Sequence, residues 1–479
     1  MNFNSIQYLI FLPIVFILYW ILPHKYRWIL LLGASYYFYM SWNAKYLFLI
    51  LFTTAITYFC GILLERCKEK RQKKRIIVLT LVTCLGVLAV FKYLNFFFDS
   101  VSGLMSVFGI RMHPITLRLL LPVGISFYTF QTLSYVIDVY RGSIKAEHHF
   151  GYYAAFISFF PQLVAGPIER SQNLLPQIRE ERKFDYDFAR EGLLLMAWGF
   201  FKKVAIADTL AIYSDKIFKN VYSYSGFALV AATLFFTIQI YCDFSGYSDI
   251  AIGTARLFGI KLMDNFKSPY FSSSIKEFWS RWHISLSTWL RDYVYIPLGG
   301  NRVSPFRHKL NLIITFLVSG LWHGANWTFV VWGGIHGLGQ VIESMFRKKK
   351  APSKNAVVRV LKTLFVFIFV AFAWIFFRAQ NFSEVVHIIT HLFTGIQKPV
   401  TYLYRGYRDI YMPLSLIKRT VFMILILAVH DGYAVKHEVQ PVIRKLPVAA
   451  RWALYLAFVW MIIAFMPIGA DQEFIYFQF

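Results

Sequence analysis

Long apolar runs constrain this chain more than any other feature. They include Ser5–Leu22, Tyr46–Leu64, Ile76–Tyr93, Leu117–Ile137, Phe227–Ile240 continuing to Phe258, Leu310–Trp332, Val357–Phe377 and Ala453–Met466. The longer ones reach the roughly 20 residues that a helix needs to cross a ~30 Å hydrocarbon core. Composition agrees, with 57% hydrophobic and only 16% charged residues among 479, against about 25% charged in soluble domains. Mean hydropathy is +0.51. A soluble globule this apolar would lack a polar surface, so the runs imply an all-α polytopic membrane protein in contact with the lipid bilayer.

The net charge of +25 is arranged for topology, and no nucleic-acid partner is expected. Basic residues fall in blocks between apolar runs, at Arg66–Arg75 and Arg347–Lys350. Such blocks mark loops on the cytoplasmic side. The first apolar run lacks a basic residue before it and is followed by His24, Lys25 and Arg27. It therefore reads as a retained helix with its N-terminus outside. A short run, Trp28–Tyr39, returns outward, and later crossings alternate to a C-terminus outside. Lys418 and Arg419 fit that count poorly. The four cysteines show neither a disulfide framework nor metal-type spacing.

One membrane-embedded domain is expected over 1–479, with N-terminal helices at 1–145, a core at 150–345 and C-terminal helices at 350–479. Roughly 10–12 transmembrane or re-entrant helices would surround a central cavity. The core carries the polar stretch Glu169–Glu191, the segment Ala165-Gly166-Pro167, and Lys202 and Lys203 in an apolar run. Broken helices in a membrane must be buried in protein or line a wet cavity.

Ionisable groups inside such runs are costly and need a reason. Lys276–Asp292 reads as one amphipathic helix with a stripe of Trp279, Trp282 and Trp289. Ser274 and Glu277 start it as a capping box. Arg281, His283 and Arg291 are then displayed off the stripe, for function or as part of an interfacial anchor. A second histidine, His323, follows Trp322 inside Leu310–Trp332. Gly320 and Gly324 would let a backbone or ligand approach, and Asn326, three residues on, could orient the imidazole. His323 could serve chemistry or be packing glue between helices. His336, between Gly334 and Gly337, is a weaker candidate. Asp243 and Asp249 lie in an apolar stretch with Arg256 two turns beyond, either as a structural ion pair or as cavity lining.

No nucleophile elbow, phosphate loop, zinc-protease motif or dinucleotide fingerprint is present. His387 and His391 stand at i, i+4, but a pair without further ligands makes no metal site. A general base without a protein serine suits an acceptor hydroxyl attacking an activated acyl donor. Broken helices and intramembrane charges also suit a transporter or flippase of a cell-envelope precursor.

At these motifs the chain resembles the membrane-bound O-acyltransferase (MBOAT) family. It is most similar to the bacterial branch of alginate O-acetylation and teichoic-acid D-alanylation membrane proteins. The resemblance rests on Phe159–Ile168, Asp243–Asp249, Phe278–Asp292, Gly320–Gly324, Phe376-Phe377-Arg378 and the tail Glu473–Phe477. It implies a ring of tilted helices, thinned at the centre, in a bacterial cytoplasmic membrane. It implies His323 as the catalytic histidine and His283 as the second recurrent one. It also implies an acyl donor from the cytosol, with acetyl-CoA expected and no permanently bound cofactor. The acceptor would be a hydroxyl of an extracytoplasmic partner protein or a cell-surface polysaccharide.

Overall fold

The computed structural model describes residues 1–111, 120–164, 166–346, 355–466 and 474–475, and among these every regular element is helical. The basic block 347–350 and most of the tail motif lie outside the described residues. The chain divides into two compact units, 1–196 with 250–263, and 197–249 with 264–479.

In the first unit the apolar runs become the helices Ile6–Ile21, His24–Asn43, Leu47–Arg66, Lys70–Leu88, Leu94–Val107 and Ile125–Arg141. Ser5 caps the first, its hydroxyl accepting from the Tyr8 N–H. An aromatic cluster of Phe3, Tyr8, Phe11, Phe38 and Phe160 fills the space between helices. Thr57 returns its hydroxyl to the Thr53 carbonyl at 2.6 Å and accepts from the Tyr153 hydroxyl at 2.8 Å. A cavity of about 580 Å³ in this unit is lined by Asn173, Gln177, Arg182, Phe188 and Lys261, among others. Most of its lining belongs to the polar stretch Glu169–Glu191, and no candidate site residue is part of it.

Among the described residues, five helical stretches are long and apolar enough to cross a membrane, or six if a bent pair counts as one span. Two of the five, His24–Arg66 and Lys70–Val107, hold 43 and 38 residues. At 1.5 Å per residue each would extend about 60 Å, twice the hydrocarbon core. The first is interrupted at Asn43, whose backbone is extended, and the second passes through a π-turn at Ala89–Tyr93. Val448–Phe465 buries none of its apolar window, as a lipid-facing helix should. The chain is a multi-pass membrane protein.

The second unit departs most from the sequence expectation. Leu310–Trp332 is not one span. It breaks at Gly324–Asn326 into the helices Pro305–His323 and Trp327–Phe346. Lys276–Asp292 is not one helix either. Ile275–Arg281 and Ile284–Leu290 are separate, and the break falls at Trp282–His283. The helix Phe227–Leu257 runs unbroken, starting in the second unit and ending in the first.

Candidate active site

The helices Pro305–His323 and Trp327–Phe346 form a close hairpin because glycines face carbonyls across it. A Cβ at Gly320 would collide with the Phe329 carbonyl, and one at Gly333 with that of Phe316. A Cβ at Gly324 would meet the Phe329 ring. The approach expected at Gly320 and Gly324 is thus made by the chain's own next helix. His323 ends the first arm, 4% exposed. Aromatic rings surround it, with Trp322, Trp332 and Phe377 centroids at 5.0, 5.1 and 5.3 Å. His283 lies 6.2 Å away, centroid to centroid.

His283 reaches that position through an unusual backbone. Its φ of 43° and ψ of 55° are left-handed, which costs a non-glycine residue about 1–2 kcal/mol. The surroundings must hold it there, and Asn265–Lys267 does so. The Ile284 N–H donates to the Asn265 carbonyl, and the Lys267 N–H to the Arg281 carbonyl, both at 2.9 Å. The Asn265 side chain completes the clamp. Its Oδ1 accepts from the Ser285 N–H at 3.3 Å and the Ser285 hydroxyl at 2.9 Å, while its Nδ2 donates to Ser248 Oγ at 3.1 Å. A backbone donor fixes Oδ1 as the carbonyl oxygen. The 3.1 Å contact from His283 Nδ1 to that oxygen therefore requires the hydrogen on Nδ1. Neutral His283 then keeps the lone pair of a base on Nε2. Phe244 closes the other side edge-on, 4.6 Å between centroids.

Buried charges in the same unit pair tightly. Lys203 Nζ lies 2.8 Å from Asp208 and 2.9 Å from Asp243. Lys202 lies 2.7 Å from Asp249 and donates to Ser245 Oγ at 2.8 Å. The Ile475 N–H donates to Asp243 Oδ2 at 2.9 Å, and the Phe474 ring lies 4.3 Å from that of Tyr247. Phe474 and Ile475 are thereby held against the helix that carries Phe244.

Several expectations are corrected by this geometry. Asn326 does not orient His323, because the helix ends between them. Its Oδ1 accepts from the Thr328 N–H, and its Nδ2 donates to the Gln380 carbonyl at 2.7 Å. Asp249 pairs with Lys202, while Arg256 faces Glu191 at 3.6 Å. His283 is wholly buried and not displayed, since the left-handed turn swings it inward. The tryptophans of the stripe are buried too. His336 accepts from the Trp279 indole at 3.2 Å and shares the Trp332 ring with His323. The capping box holds only in part. Ser274 accepts from the Glu277 N–H, but Glu277 reaches back to Ser273. His387 and His391 stack at 4.2 Å, and the His387 Nε2 lies 3.2 Å from the Tyr224 carbonyl.

The roles of three residues were not assigned from the sequence. Lys202 and Lys203 carried a signal, as charges in an apolar run. Asn265 carried none, because nothing local shows that a loop 18 residues upstream returns to His283.

A multi-pass helical membrane protein with two buried histidines brought together from separate helix breaks is the class this architecture defines. The sequence profile of the membrane-bound O-acyltransferase family matches residues 31–383, and the chain belongs to that family. It is 44% identical to a probable alginate O-acetylase of Azotobacter vinelandii over 396 residues, 82% of this chain and 78% of that one. It is 36% identical to a peptidoglycan O-acetyltransferase of Helicobacter pylori, over 79% and 77% of the two chains. A teichoic acid D-alanyltransferase of Streptococcus thermophilus is 31% identical over 50% of this chain and 61% of its own. The chain is an O-acyltransferase, which decides between the enzyme and transporter classes.

Proposed function

We propose that this protein moves an acetyl group from acetyl-CoA, supplied in the cytosol, to a hydroxyl of an extracytoplasmic partner protein or cell-surface polysaccharide. His323 is the general base of this reaction, and His283 lies beside the reacting groups. The observation that carries the reading is the 6.2 Å approach of the two buried imidazoles from helix breaks 40 residues apart in sequence, one held on a left-handed backbone. Packing alone does not require such a conformation. The names of the relatives support the acyl group and the acceptor, since two of the three quoted are O-acetyl-transferring proteins of polysaccharides.

The step balances without a cofactor. The imidazole takes the acceptor hydroxyl proton as its oxygen attacks the thioester carbonyl. The tetrahedral adduct then expels the thiolate, and the imidazolium returns the proton to sulfur. The products are an ester and a free thiol. A base of this kind contributes about 10²–10⁴-fold.

The basic blocks 66–75 and 347–350 support a reading in which the donor is captured from the cytosol, with both termini outside a bacterial cytoplasmic membrane. Purified protein in oriented vesicles tests this, with labelled acetyl-CoA on one face at a time and thiol release and label transfer both followed. Turnover is expected with donor on the face bearing 66–75. Turnover only from the opposite face would overturn the orientation, and no thiol release from either face would overturn the donor.

A further inference from the structure

The helix Pro399–Ile410 is built differently from the spanning helices. Three kinds of surface run along its 12 residues. Gly406 and Ile410 are buried. A Cβ at Gly406 would meet Phe227 and Ala228, so this side packs on protein. Val400, Leu403, Tyr404, Tyr407 and Tyr411 recur at i, i+3, i+4, i+7 and i+11 and are all exposed, Val400 at 81% and Tyr404 at 64%. Thr401, Arg405 and Arg408 are exposed on the side beyond these, next to the half-buried Tyr402 and Asp409, and Arg408 Nε lies 3.9 Å from Asp409 Oδ1.

Both ends of the helix are fixed. Pro399 fills the first turn, where its missing N–H costs nothing. At the other end Lys216 Nζ donates to the Asp409 and Ile410 carbonyls at 3.1 and 3.3 Å. Tyr411, at φ 56°, ends the helix in the left-handed region. The chain then turns by 95° into Leu414–Ala434. That helix is apolar and leaves Val421, Phe422, Leu425 and Val429 exposed, as a lipid-facing span would.

We propose that Pro399–Ile410 lies flat in the bilayer interface, its Val400–Tyr411 face in the acyl boundary and Arg405 and Arg408 on anionic phospholipid headgroups. The exposed apolar residues of this helix are followed, beyond the bend, by those of an apolar helix, Val421, Phe422, Leu425 and Val429. A helix at right angles to a spanning helix lies in the membrane plane. Tyrosines on the apolar side and arginines on the polar side match the two chemistries that meet there. A protein partner or an anionic polymer would need the same face to be wet.

The test uses the full chain in nanodiscs of phosphatidylcholine and phosphatidylglycerol. Cys67 is replaced by Ser, the buried Cys60, Cys84 and Cys242 are kept, and single cysteines are placed in turn at 400, 401, 403, 404, 405, 407 and 408 for spin labelling. Collision with oxygen should peak at 400, 403, 404 and 407, and collision with an aqueous nickel chelate at 401, 405 and 408. Nickel access at 404 and 407 equal to that at 405 and 408 would overturn the proposal and open the face to a protein or polymer. A second measurement follows phosphatidylglycerol carried through purification. Arg405→Gln and Arg408→Gln should each lower its enrichment over phosphatidylcholine roughly fivefold, and an unchanged enrichment would overturn the headgroup contact.

Discussion

The two helix breaks that carry the histidines are made by opposite means. At His323 the setting is shaped by packing: glycines let two helices close on each other and aromatic rings box the imidazole, while Asn326 in the break bonds away from it. At His283 the break is polar and strained. A left-handed residue is held by two backbone hydrogen bonds and one asparagine that contacts both His283 and Ser285. The first is thus fixed by shape and tolerates no added volume. The second is fixed by hydrogen bonds and tolerates no lost acceptor. At the polar break the same acceptor oxygen of Asn265 also sets the proton of His283 on Nδ1.

The largest effect should come from the break at His323. His323→Ala should lower acyl transfer by about 10²–10⁴-fold while the protein inserts and melts near its normal temperature. Near-normal turnover with a lowered melting temperature would make His323 packing glue, and the two breaks would then differ in function as well as construction.

Overpacking tests shape directly. Gly320→Leu places a side chain against the Phe329 carbonyl and should destabilise by about 1–3 kcal/mol. Thermal unfolding in detergent reads this. An unchanged midpoint would mean that the hairpin relaxes, and that glycine does not set the position of His323.

At the polar break the acceptor matters more than the volume. Asn265→Ala leaves Ser285, Ser248 and His283 without a common partner in a buried setting, a cost of about 1–3 kcal/mol. It should also lower turnover about tenfold by freeing the His283 tautomer. Asn265→Asp retains an acceptor oxygen and should keep more of both. Equal loss in the two variants would show that packing, not the hydrogen bond, holds His283.

The smallest effect is expected at His336→Phe. This ring is set among Phe278, Phe316 and Phe369 and accepts one indole hydrogen bond. The change should cost about 1 kcal/mol of stability and leave turnover within about twofold. A fall comparable to that of His323→Ala would move His336 into the reacting group.

The class of the fold was legible because lipid acts on every residue of a span at once. Twenty apolar residues in a row have few other uses, and the runs from Ser5 to Phe377 mostly return as helices within a few residues. The two breaks were not legible. Trp282-His283-Ile284 carries no glycine or proline, and helical spacing continues through it, so periodicity alone calls for one helix. The break exists because Asn265–Lys267, distant in sequence, offers backbone partners to 281–284. Asn326 failed as an orienting residue for a related reason. The i, i+3 argument assumes a helix that in fact ends at His323.

The sequence by itself determined that this is a helical, multi-pass membrane protein, and its motifs picked out the two histidines. Hydropathy is a local property, summed over neighbours in the chain, so it survives without coordinates. Tertiary structure alone decided that His283 and His323 meet, which lysine neutralises which carboxylate, and that a single asparagine assigns a proton. Asp249 took Lys202 over the Arg256 that sequence spacing offered, because a buried charge is paired by whatever group lies within ion-pair distance. That distance is set by how helices cross, and no single-helix period encodes it.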